Sequence, residues 1–582
     1  MASEEKGMSA RIWRGCRAAS AWRRRPRVAA FRLAAIALLW ASLAGHSFAG
    51  DTGPAAASAL LVRTVAGEVR GSLSAGGAVL RWLGIPYARP PVGDLRWQPP
   101  QAPLPWDGVR AADAFGAPCA QIGSIYGPPP AGKPWGLANV DTFGEPVGSE
   151  DCLSLNIWRP SGATQPLPVI VFIHGGSNIA GAASDPLYDG AKLAASAGAV
   201  IVTINYRLGF FGWFTHPALA TGDPLGDSGN YGTLDILQAL RFVQANASAF
   251  GGDPANVTLM GQSAGAIDLY SVMASPLSDG LFHKAIVLSG LIASTTREKG
   301  AEFAERLAAA LLVHDGLAAT NQDAARYLAA QGPRWLEDYL RAKTGTELLD
   351  AVSRDPSLRR APTCFGDGAV IPSDLSASFE QGRFRAVPTI VGRTRNEGKL
   401  FTVGAYKVSD AERFTMMLTS DPDAAPKVKL KDLVRPLLLP SWGSGLYDAY
   451  AWLILSAALH GVNDSISKLA RHETKVFAYR FDWNRGPEPW KSVYGAGHAI
   501  DLPFVFGNFS NNFYSMDFSQ ANEPGRDALS QLMMRAIGAF IRSGDPNGAP
   551  LPTTWRPWRT DDRDGHYLLL DASDRDPIVS MR

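Results

Sequence analysis

Runs of apolar, often β-branched residues recur along the central part of the chain, bounded by glycine, proline or polar turns. Continuous apolar runs of this length are typical of strands that are buried on both faces of a sheet. They predict strands over residues 168–174, 199–206, 256–260, 284–290, 387–392 and 475–481. Upstream of these, residues 64–88 alternate between apolar and polar positions, which predicts a strand pair.

Apolar residues at helical spacing occupy the intervals between the predicted strands, including a helix with Leu234, Leu237, Leu240 and Val243 on one face and the segment 266–274. Strands that alternate with helices predict an α/β protein with a doubly wound, mostly parallel central sheet. Two alanine-rich helical segments, 301–313 and 446–461, are interpreted as insertions that cover one end of that sheet. No repeat or low-complexity linker divides residues 50–582, so we predict one domain there.

The N-terminus differs in composition from the rest of the chain. Residues 1–49 carry nine Lys/Arg and two Glu, and removing their charge of +7 from the net charge of +2 leaves −5. A basic stretch, an apolar run of 13 residues and the small residues before Gly50 predict a secretory signal peptide cleaved after Ala49. The run is too short to span a bilayer. The weakly acidic remainder gives no electrostatic footprint for nucleic acid or for an anionic membrane.

Cysteine usage agrees with export to an oxidising compartment. Without the predicted signal the chain has three cysteines, Cys119, Cys152 and Cys364, an odd number that predicts one disulfide and one free thiol. Cys119 and Cys152 are the nearer pair and flank a Pro/Gly-rich stretch. We interpret Cys364 as a small buried apolar residue, because no base or acid stands near it in the sequence.

One serine stands between two glycines in "NVTLMGQSAGAIDLY", residues 256–270. In a chain with 59 glycines the G-x-S-x-G pattern of Ser263 is weak evidence by itself, and an ordinary serine is the alternative. Its context is stronger, because a predicted strand precedes Ser263 and a predicted helix follows it. A tight strand-to-helix turn exposes the hydroxyl and places a helix N-terminus beneath the developing charge.

Such a nucleophile needs a histidine base and an acid, which follow it in the chain order serine, acid, histidine in an α/β-hydrolase. Of the nine histidines, His498 lies late in the chain on a glycine-flanked loop, whereas His174 and His283 are interpreted as structural. Glu397 follows the predicted strand 387–392, at the strand end where such sheets carry catalytic loops. Its rivals are Asp367, interpreted as a turn residue, and Asp501, which follows His498.

Backbone N–H groups are expected to bind the oxyanion. Ala264, directly after the nucleophile, and Gly176 with Ser177, in the glycine loop "HGGSNIAG" at 174–181, are the candidate donors. Neither an H-E-x-x-H nor a C-x-x-C motif occurs in the sequence, so we predict neither a metal site nor a cofactor.

The sequence resembles the type B carboxylesterases, the family of the bacterial p-nitrobenzyl esterases and the cholinesterases, from about residue 60 to 575. The similarity includes "LGIPYARPPVGDLRW", "SEDCLSLNIWRP", "NYRLGFFGWF", the segment around Ser263, "NEG", "GAGHAIDLPFVFG" and "SGDPNG". It implies an α/β-hydrolase fold and hydrolysis of carboxylic esters through an acyl-enzyme without a cofactor. It implies the triad Ser263, Glu397 and His498, oxyanion donors Gly176, Ser177 and Ala264, and a disulfide between Cys119 and Cys152.

The sequence departs from the family pattern at several positions near the expected site. Ser177 and Asn178 replace a third glycine and an aromatic residue; Ser177 still offers its N–H provided that its φ is not positive, and polar Asn178 is expected to reshape the pocket floor. Gln262 replaces a glutamate that would favour the imidazolium form of the base, so a modest effect on rate is expected. Ile236 replaces a common glutamine, and Ala499 replaces a glycine and is expected to constrain the loop slightly.

We therefore predict a secreted or periplasmic serine esterase that acts on a small-molecule ester. The alternatives are a non-catalytic binding module on the same fold, or a lipase or amidase with the same triad. The three triad residues are all present, which favours catalysis. No pattern in the sequence indicates the natural ester or the oligomeric state.

Overall fold

The strands predicted from apolar runs lie side by side in one sheet. The structure, a computed structural model, describes residues 59–582 except 75, 403–405, 436–444 and 561–565, so the predicted signal peptide of residues 1–49 lies outside the described residues. The strands are β1 (Leu61–Arg63), β2 (Glu68–Arg70), β3 (Ser72–Leu73), β4 (Val79–Pro86), β5 (Val109–Ala111), β6 (Gln121–Ile122), β7 (Pro146–Val147), β8 (Ser154–Pro160), β9 (Leu167–Ile173), β10 (Val200–Ile204), β11 (Gly252–Gln262), β12 (Lys284–Leu288), β13 (Thr389–Thr394), β14 (Val476–Phe481), β15 (Tyr567–Ala572) and β16 (Pro577–Met581).

Helices occupy the intervals between these strands, as the periodicity predicted. They are α1 (Ala191–Ala197), α2 (Gly209–Gly212), α3 (Tyr231–Asn246), α4 (Ala264–Ala274), α5 (Arg297–His314), α6 (Asn321–Ala329), α7 (Pro333–Ala342), α8 (Gly345–Arg354), α9 (Leu375–Glu380), α10 (Asp410–Thr419), α11 (Leu430–Leu433), α12 (Gly445–Ala470), α13 (Trp490–Val493), α14 (Leu502–Phe506) and α15 (Glu523–Ser543). The two alanine-rich segments interpreted as helical insertions form α5 and most of α12. Among the helices that the structure describes, none combines the length and the apolar character needed to cross a bilayer.

The main sheet of the described residues has eleven strands in the order β16-β15-β14-β13-β12-β11-β9-β10-β8-β4-β3. The strands from β10 to β15 in this order pair in parallel, and antiparallel pairs stand at the two ends. The predicted strand pair of residues 64–88 forms the β3–β4 hairpin at one edge. The sheet is therefore mostly parallel, as predicted, and it brings the carboxyl ends of β11, β13 and β14 to one edge.

Strand β9 shows why its sequence is continuously apolar. Val169, Val171 and Ile173 belong to a core cluster on one face of the sheet, together with residues of α3 and α4. Ile170 and Phe172 belong to a second cluster on the opposite face, together with residues of α1 and α15. Helices thus cover both faces, and residues 169–173 of the strand are each buried on one face or the other.

The segment between β5 and β8 is closed by a disulfide. Cys119 and Cys152 are bonded, with their Cα atoms 4.9 Å apart, as the nearer spacing and the resemblance predicted. Closing a loop of this length stabilises a fold by about 3–4 kcal/mol on the chain-entropy estimate. Cys364 is free and buried, as interpreted, but an acid does stand beside it in the fold, because its Sγ lies 3.1 Å from Oδ1 of Asp268.

Candidate active site

Ser263 lies on a strained turn between β11 and α4, with φ +56° and ψ −122°. The flanking glycines make the turn possible, because a Cβ at Gly261 would lie 2.3 Å from the carbonyl oxygen of Gly265, and one at Gly265 would lie 2.3 Å from the carbonyl oxygen of Ile173. The N–H of Ser263 donates to the carbonyl of Leu288 at 2.8 Å. This is the strand-to-helix turn that the sequence predicted, and it explains both glycines of the motif sterically.

Glu397 and His498 meet at the same edge of the sheet. Nδ1 of His498 contacts Oε2 of Glu397. Oε1 of Glu397 accepts hydrogen bonds from Oγ of Ser289 at 2.6 Å and from the N–H of Thr394 at 2.7 Å. With both carboxylate oxygens engaged, Glu397 holds the imidazole with its proton on Nδ1, and Nε2 is left to act as a base.

The surroundings of Glu397 keep it ionised. Burial acts to raise the pKa of Glu397, but the charge of His498 and the hydrogen bonds from His498, Ser289 and the Thr394 N–H outweigh it. The pKa of Glu397 therefore lies below its ordinary value. A carboxylate that stays charged is what an imidazole base needs beside it.

Nε2 of His498 faces the side chain of Gln262. The amide nitrogen of Gln262 lies 3.1 Å from Nε2, whereas Oγ of Ser263 makes no hydrogen bond within the described residues. The ring of Phe401 lies 4.9 Å from the imidazole ring between centroids and covers its side. The sequence suggested an effect of Gln262 through the loss of a charge, but it did not indicate this direct contact or the position of Phe401.

The glycine loop 174–181 packs directly against the nucleophile turn. A Cβ at Gly175 would lie 2.4 Å from Oε1 of Gln262 and 3.0 Å from Cβ of Ser263. Within the described residues, no hydrogen-bond acceptor meets the backbone N–H of Gly176, Ser177 or Ala264. These three groups therefore have no acceptor among the described residues, and their role as oxyanion donors stays a prediction.

The condition placed on Ser177 is not met. Ser177 has a φ of +58°, and Asn178 has the same φ of +58°. A left-handed conformation costs about 1–2 kcal/mol in a residue with a side chain. The amide N–H stays on the backbone in this conformation, so Ser177 remains a candidate donor, but it is held there under strain.

Positive φ values outside glycine concentrate around the site. Ser289, whose hydroxyl binds Glu397, has a φ of +54°, and Ala499, which follows His498, has a φ of +67°. The glycine that the family commonly has at the latter position would adopt this conformation without strain. The expected constraint on that loop is therefore a backbone conformation that alanine adopts only at a cost.

The rival residues occupy other positions. The carboxylate of Asp367 accepts the N–H groups of residues 369–371, so it is a turn residue, as interpreted. Asp501 accepts a hydrogen bond from Tyr479 at 2.6 Å, and burial raises its pKa to about 6. Nδ1 of His283 accepts the Val257 N–H. His174 is buried, which lowers its pKa to about 4.

The similarity of this chain to known proteins extends beyond the site to nearly its whole length. A sequence profile of the carboxylesterase family matches residues 58–578. The para-nitrobenzyl esterase of Bacillus subtilis is 31% identical over 533 residues, which cover 90% of this chain and 97% of that protein. The cocaine esterase of Homo sapiens is 33% identical over 549 residues, which cover 88% of each chain.

Solved structures agree with the sequence relatives. A PNB esterase superposes with a TM-score of 0.64 at 29% identity and covers 90% of this chain and 97% of that chain. A carboxylesterase of Geobacillus stearothermophilus superposes with a TM-score of 0.66 at 29% identity and covers 90% of this chain and 98% of that one.

Proposed function

Because the chain belongs to the carboxylesterase family and is a serine hydrolase that cleaves carboxylic esters, we propose that Ser263, His498 and Glu397 carry out its reaction. The observation that carries this assignment is the contact between Nδ1 of His498 and Glu397, whose other oxygen is fixed by Ser289 and the Thr394 N–H. The strained turn of Ser263, at the same edge of the sheet, supplies the hydroxyl.

In the first half of the reaction, Oγ of Ser263 attacks the ester carbonyl carbon and its proton passes to Nε2 of His498. The carbonyl oxygen becomes an oxyanion that accepts hydrogen bonds from the N–H groups of Gly176, Ser177 and Ala264. The tetrahedral intermediate then expels the alcohol, which takes the proton from Nε2. In the second half, water attacks the acyl-enzyme by the same route, and the carboxylic acid and free Ser263 are released.

Gln262 can form a hydrogen bond with His498 both before and after the proton transfer. In the resting site its amide nitrogen lies at Nε2, which matches a neutral imidazole that accepts a hydrogen bond. When His498 is protonated, the same side chain presents its oxygen to the Nε2–H by rotation of the amide. Gln262 therefore serves both forms of the base, but without the full negative charge of a glutamate.

Replacement of the nucleophile tests this assignment. With p-nitrophenyl acetate as substrate, Ser263→Ala is expected to lower kcat by roughly a million-fold, the scale seen when a serine hydrolase loses its nucleophile. The matched control is Ser248→Ala, at an exposed serine in a turn of residues 247–250, which is expected to leave kcat unchanged. Equal turnover by Ser263→Ala and the native enzyme would remove Ser263 from the mechanism.

We further propose that an apolar substituent of the ester binds beside the oxyanion loop. A cavity of about 340 Å³ adjoins that loop, and Ile179 and Ala180 of the loop line it. Phe210, Leu349 and Leu358 contribute to the remaining, mostly apolar lining. The N–H of Ala180 donates to the carbonyl of Gly176 at 3.1 Å, so the cavity adjoins the place where the ester carbonyl binds, and apolar groups on the ester gain affinity by burial there.

Filling the cavity tests this placement. Ala361 lines the cavity and is half-buried, so Ala361→Phe introduces a ring at the lining without removing a core side chain. We expect kcat/KM for butyrate and longer esters to fall by about 10-fold or more relative to acetate esters. This is the scale on which one or two methylene groups in an apolar pocket change kcat/KM. Ala102→Phe, at an exposed alanine, is the control. An unchanged ratio of longer to acetyl esters would place the substituent elsewhere.

We also propose that residues 1–49 direct export of the protein. The charge pattern and apolar run of this segment, together with the Cys119–Cys152 disulfide, support an oxidising compartment. Expression of the full chain followed by N-terminal sequencing of the exported protein is expected to read from Gly50. An active enzyme that stays in the cytoplasm and retains residues 1–49 would contradict the proposal.

A further inference from the structure

A buried polar cluster lies beneath the oxyanion loop and is not used in the reaction steps above. It consists of Asn178, Tyr206, Asp268 and Cys364, and we refer to it as the anchor cluster. Nδ2 of Asn178 donates to Oδ1 of Asp268 at 2.9 Å, and Sγ of Cys364 donates to the same oxygen at 3.1 Å. The hydroxyl of Tyr206 lies 2.7 Å from the carbonyl oxygen of His174, to which it donates, and 3.2 Å from Oδ1 of Asn178.

The anchor cluster joins the two elements that form the reacting centre. Asp268 lies on α4, five residues after Ser263, and its exposed fraction is 0%. Asn178 directly follows Ser177 in the glycine loop, and its exposed fraction is 1%. The side chain of Asn178 therefore points towards α4. The sequence analysis expected it to form a polar floor of the pocket, but in the structure it joins the loop to the helix.

The loop needs such a link because of its backbone conformation. Ser177 and Asn178 both have left-handed φ values, which persist in residues with side chains only when surrounding contacts hold them. The carbonyl oxygen of Asn178 accepts the Gly209 N–H at 2.6 Å, which holds the backbone on one side. The Asn178–Asp268 hydrogen bond holds the side chain on the other side, so the residue is fixed at both ends.

Burying the carboxyl group of Asp268 at this position costs free energy. Its Oδ2 has no hydrogen-bond partner within the described residues, and burial of such a group carries a free-energy penalty. An apolar residue of similar size would avoid this penalty and pack equally well in α4. The carboxyl oxygen that accepts from Asn178 is the feature that an apolar residue cannot replace.

We propose that Asp268 is a positioning residue for ester hydrolysis, which through Asn178 keeps the N–H groups of Gly176 and Ser177 directed at the developing oxyanion. The inference rests on the proposed function, because it assumes that these N–H groups form the oxyanion hole. It assigns Asp268 no contact with substrate. Its effect is confined to how well the loop fits the transition state.

Two replacements of Asp268 distinguish the effect of its acceptor oxygen from the effect of burying its carboxyl group. Asp268→Asn keeps an oxygen for Asn178 and Cys364 and places its NH₂ where Oδ2 has no partner, so kcat is expected to stay within about threefold of native. Asp268→Leu removes the acceptor. Since loss of a whole oxyanion donor lowers kcat by about 10²–10³-fold, a displaced loop is expected to lower it by about 10–100-fold.

The readouts distinguish positioning from general damage. With p-nitrophenyl acetate, Asp268→Leu is expected to lower kcat while KM changes by less than about threefold, because the oxyanion forms only in the transition state. A trifluoromethyl ketone analogue of the ester, which adds Ser263 and forms an oxyanion, is expected to bind more weakly by the same factor as kcat falls. The matched control is Asp517→Leu, another buried acid with an oxygen that has no partner among the described residues.

Asn178→Gly provides a second variant that leaves α4 intact, for use if Asp268→Leu does not fold. Glycine accepts a φ of +58° without strain but cannot reach Asp268. The loss of kcat is expected to match that of Asp268→Leu, and the double variant is expected to be no worse than the poorer single variant, because both remove one contact.

Unchanged kcat and unchanged affinity for the trifluoromethyl ketone in folded Asp268→Leu, or in Asn178→Gly, would overturn the inference. Additive losses in the double variant would overturn it as well. The Ser263→Ala variant keeps the two proposals apart. If Ser263→Ala retains turnover, the proposed function fails; if Ser263→Ala is inactive while Asp268→Leu is unaffected, only the role of Asp268 fails.

Discussion

The acid–base side and the oxyanion side of the proposed active site are held in place by different interactions. On the acid–base side, Glu397 binds His498, Ser289 and the Thr394 N–H, so side chains fix one another through charge-assisted hydrogen bonds. On the oxyanion side, the candidate donors are backbone groups in a loop with left-handed residues, and the side chain of Asn178 ties that loop to α4.

Each side contains a buried carboxyl group, and the two groups have opposite pKa shifts. The pKa of Glu397 is lowered, because the charge of His498 and several donors outweigh burial. Burial raises the pKa of Asp268 to about 7, since its donors, Cys364 and Asn178, are neutral. Glu397 accepts hydrogen bonds from more donors than Asp268 does, one of them the imidazole that becomes cationic during the reaction, and this larger set of interactions outweighs burial.

The largest effect is expected on the acid–base side. Glu397→Gln retains the size of the side chain but turns an acceptor into a group that also donates, so the proton on Nδ1 loses its partner and the wrong tautomer is favoured. We expect kcat for p-nitrophenyl acetate to fall by about 10⁴-fold, the scale known for this change in a serine-hydrolase triad. Exposed Glu305→Gln is the control, and a loss below tenfold in Glu397→Gln would argue against an orienting carboxylate.

The two carboxyl groups are expected to change stability in opposite directions with pH. Because the pKa of Asp268 is raised in the folded state, the folded protein holds an extra proton between about pH 4 and pH 7, and stability falls as pH rises through this window. Because the pKa of Glu397 is lowered, its contribution is present above the unfolded pKa and is lost as pH falls through the folded pKa.

Urea unfolding at a series of pH values tests this contrast. Asp268→Asn is expected to remove the decline in the free energy of unfolding between pH 4 and pH 7. The variant is therefore expected to gain most stability over the native protein near pH 7. Glu397→Gln is expected instead to reduce the loss of stability that the native protein shows as pH falls through the folded-state pKa of Glu397. If both variants changed the pH dependence in the same direction, the assigned protonation states would be wrong.

A smaller effect is expected at the contact between the base and Gln262. Native activity is expected to fall on acidification, because protonation of His498 removes the base. Gln262→Glu places a carboxylate beside Nε2 and favours the imidazolium form, so the acid limb of the pH–rate profile is expected to move to higher pH. The rate at the optimum is expected to change by less than about tenfold, the scale of one pKa unit. An unmoved acid limb would mean that the side chain does not face Nε2.

The smallest effect is expected from relief of strain at Ser177. Ser177→Gly removes about 1–2 kcal/mol of left-handed strain. The larger conformational entropy of glycine in the unfolded chain lowers stability by about 0.5–1 kcal/mol. A net gain of about 0–1.5 kcal/mol in stability follows, with activity retained. Ser248→Gly, where φ is not positive, is expected to lose stability. A loss at both positions would show that the hydroxyl of Ser177 stabilises the fold.

Local patterns in the sequence were sufficient to predict the elements and to select the residues proposed for the triad. The buried strands can be predicted because both faces of β9 and β10 are covered, so nearly every position is apolar, with Thr203 as the exception in β10. The chain order and the strand-end positions of Ser263 and Glu397 follow from the parallel sheet. The turn at Ser263 has its own signal, since only glycines fit beside it.

The contacts that adjust the site could not be read in this way, because they join residues far apart in the chain. Asn178 and Asp268 are separated by 90 positions, and Gln262 and His498 by 236. Whether Asn178 turns to the substrate or to α4, and whether φ at Ser177 is positive, depends on how closely the glycine loop packs on the nucleophile turn. Sequence periodicity therefore determined which elements form and which groups can react, because these depend on neighbouring residues; tertiary packing decided which polar groups meet.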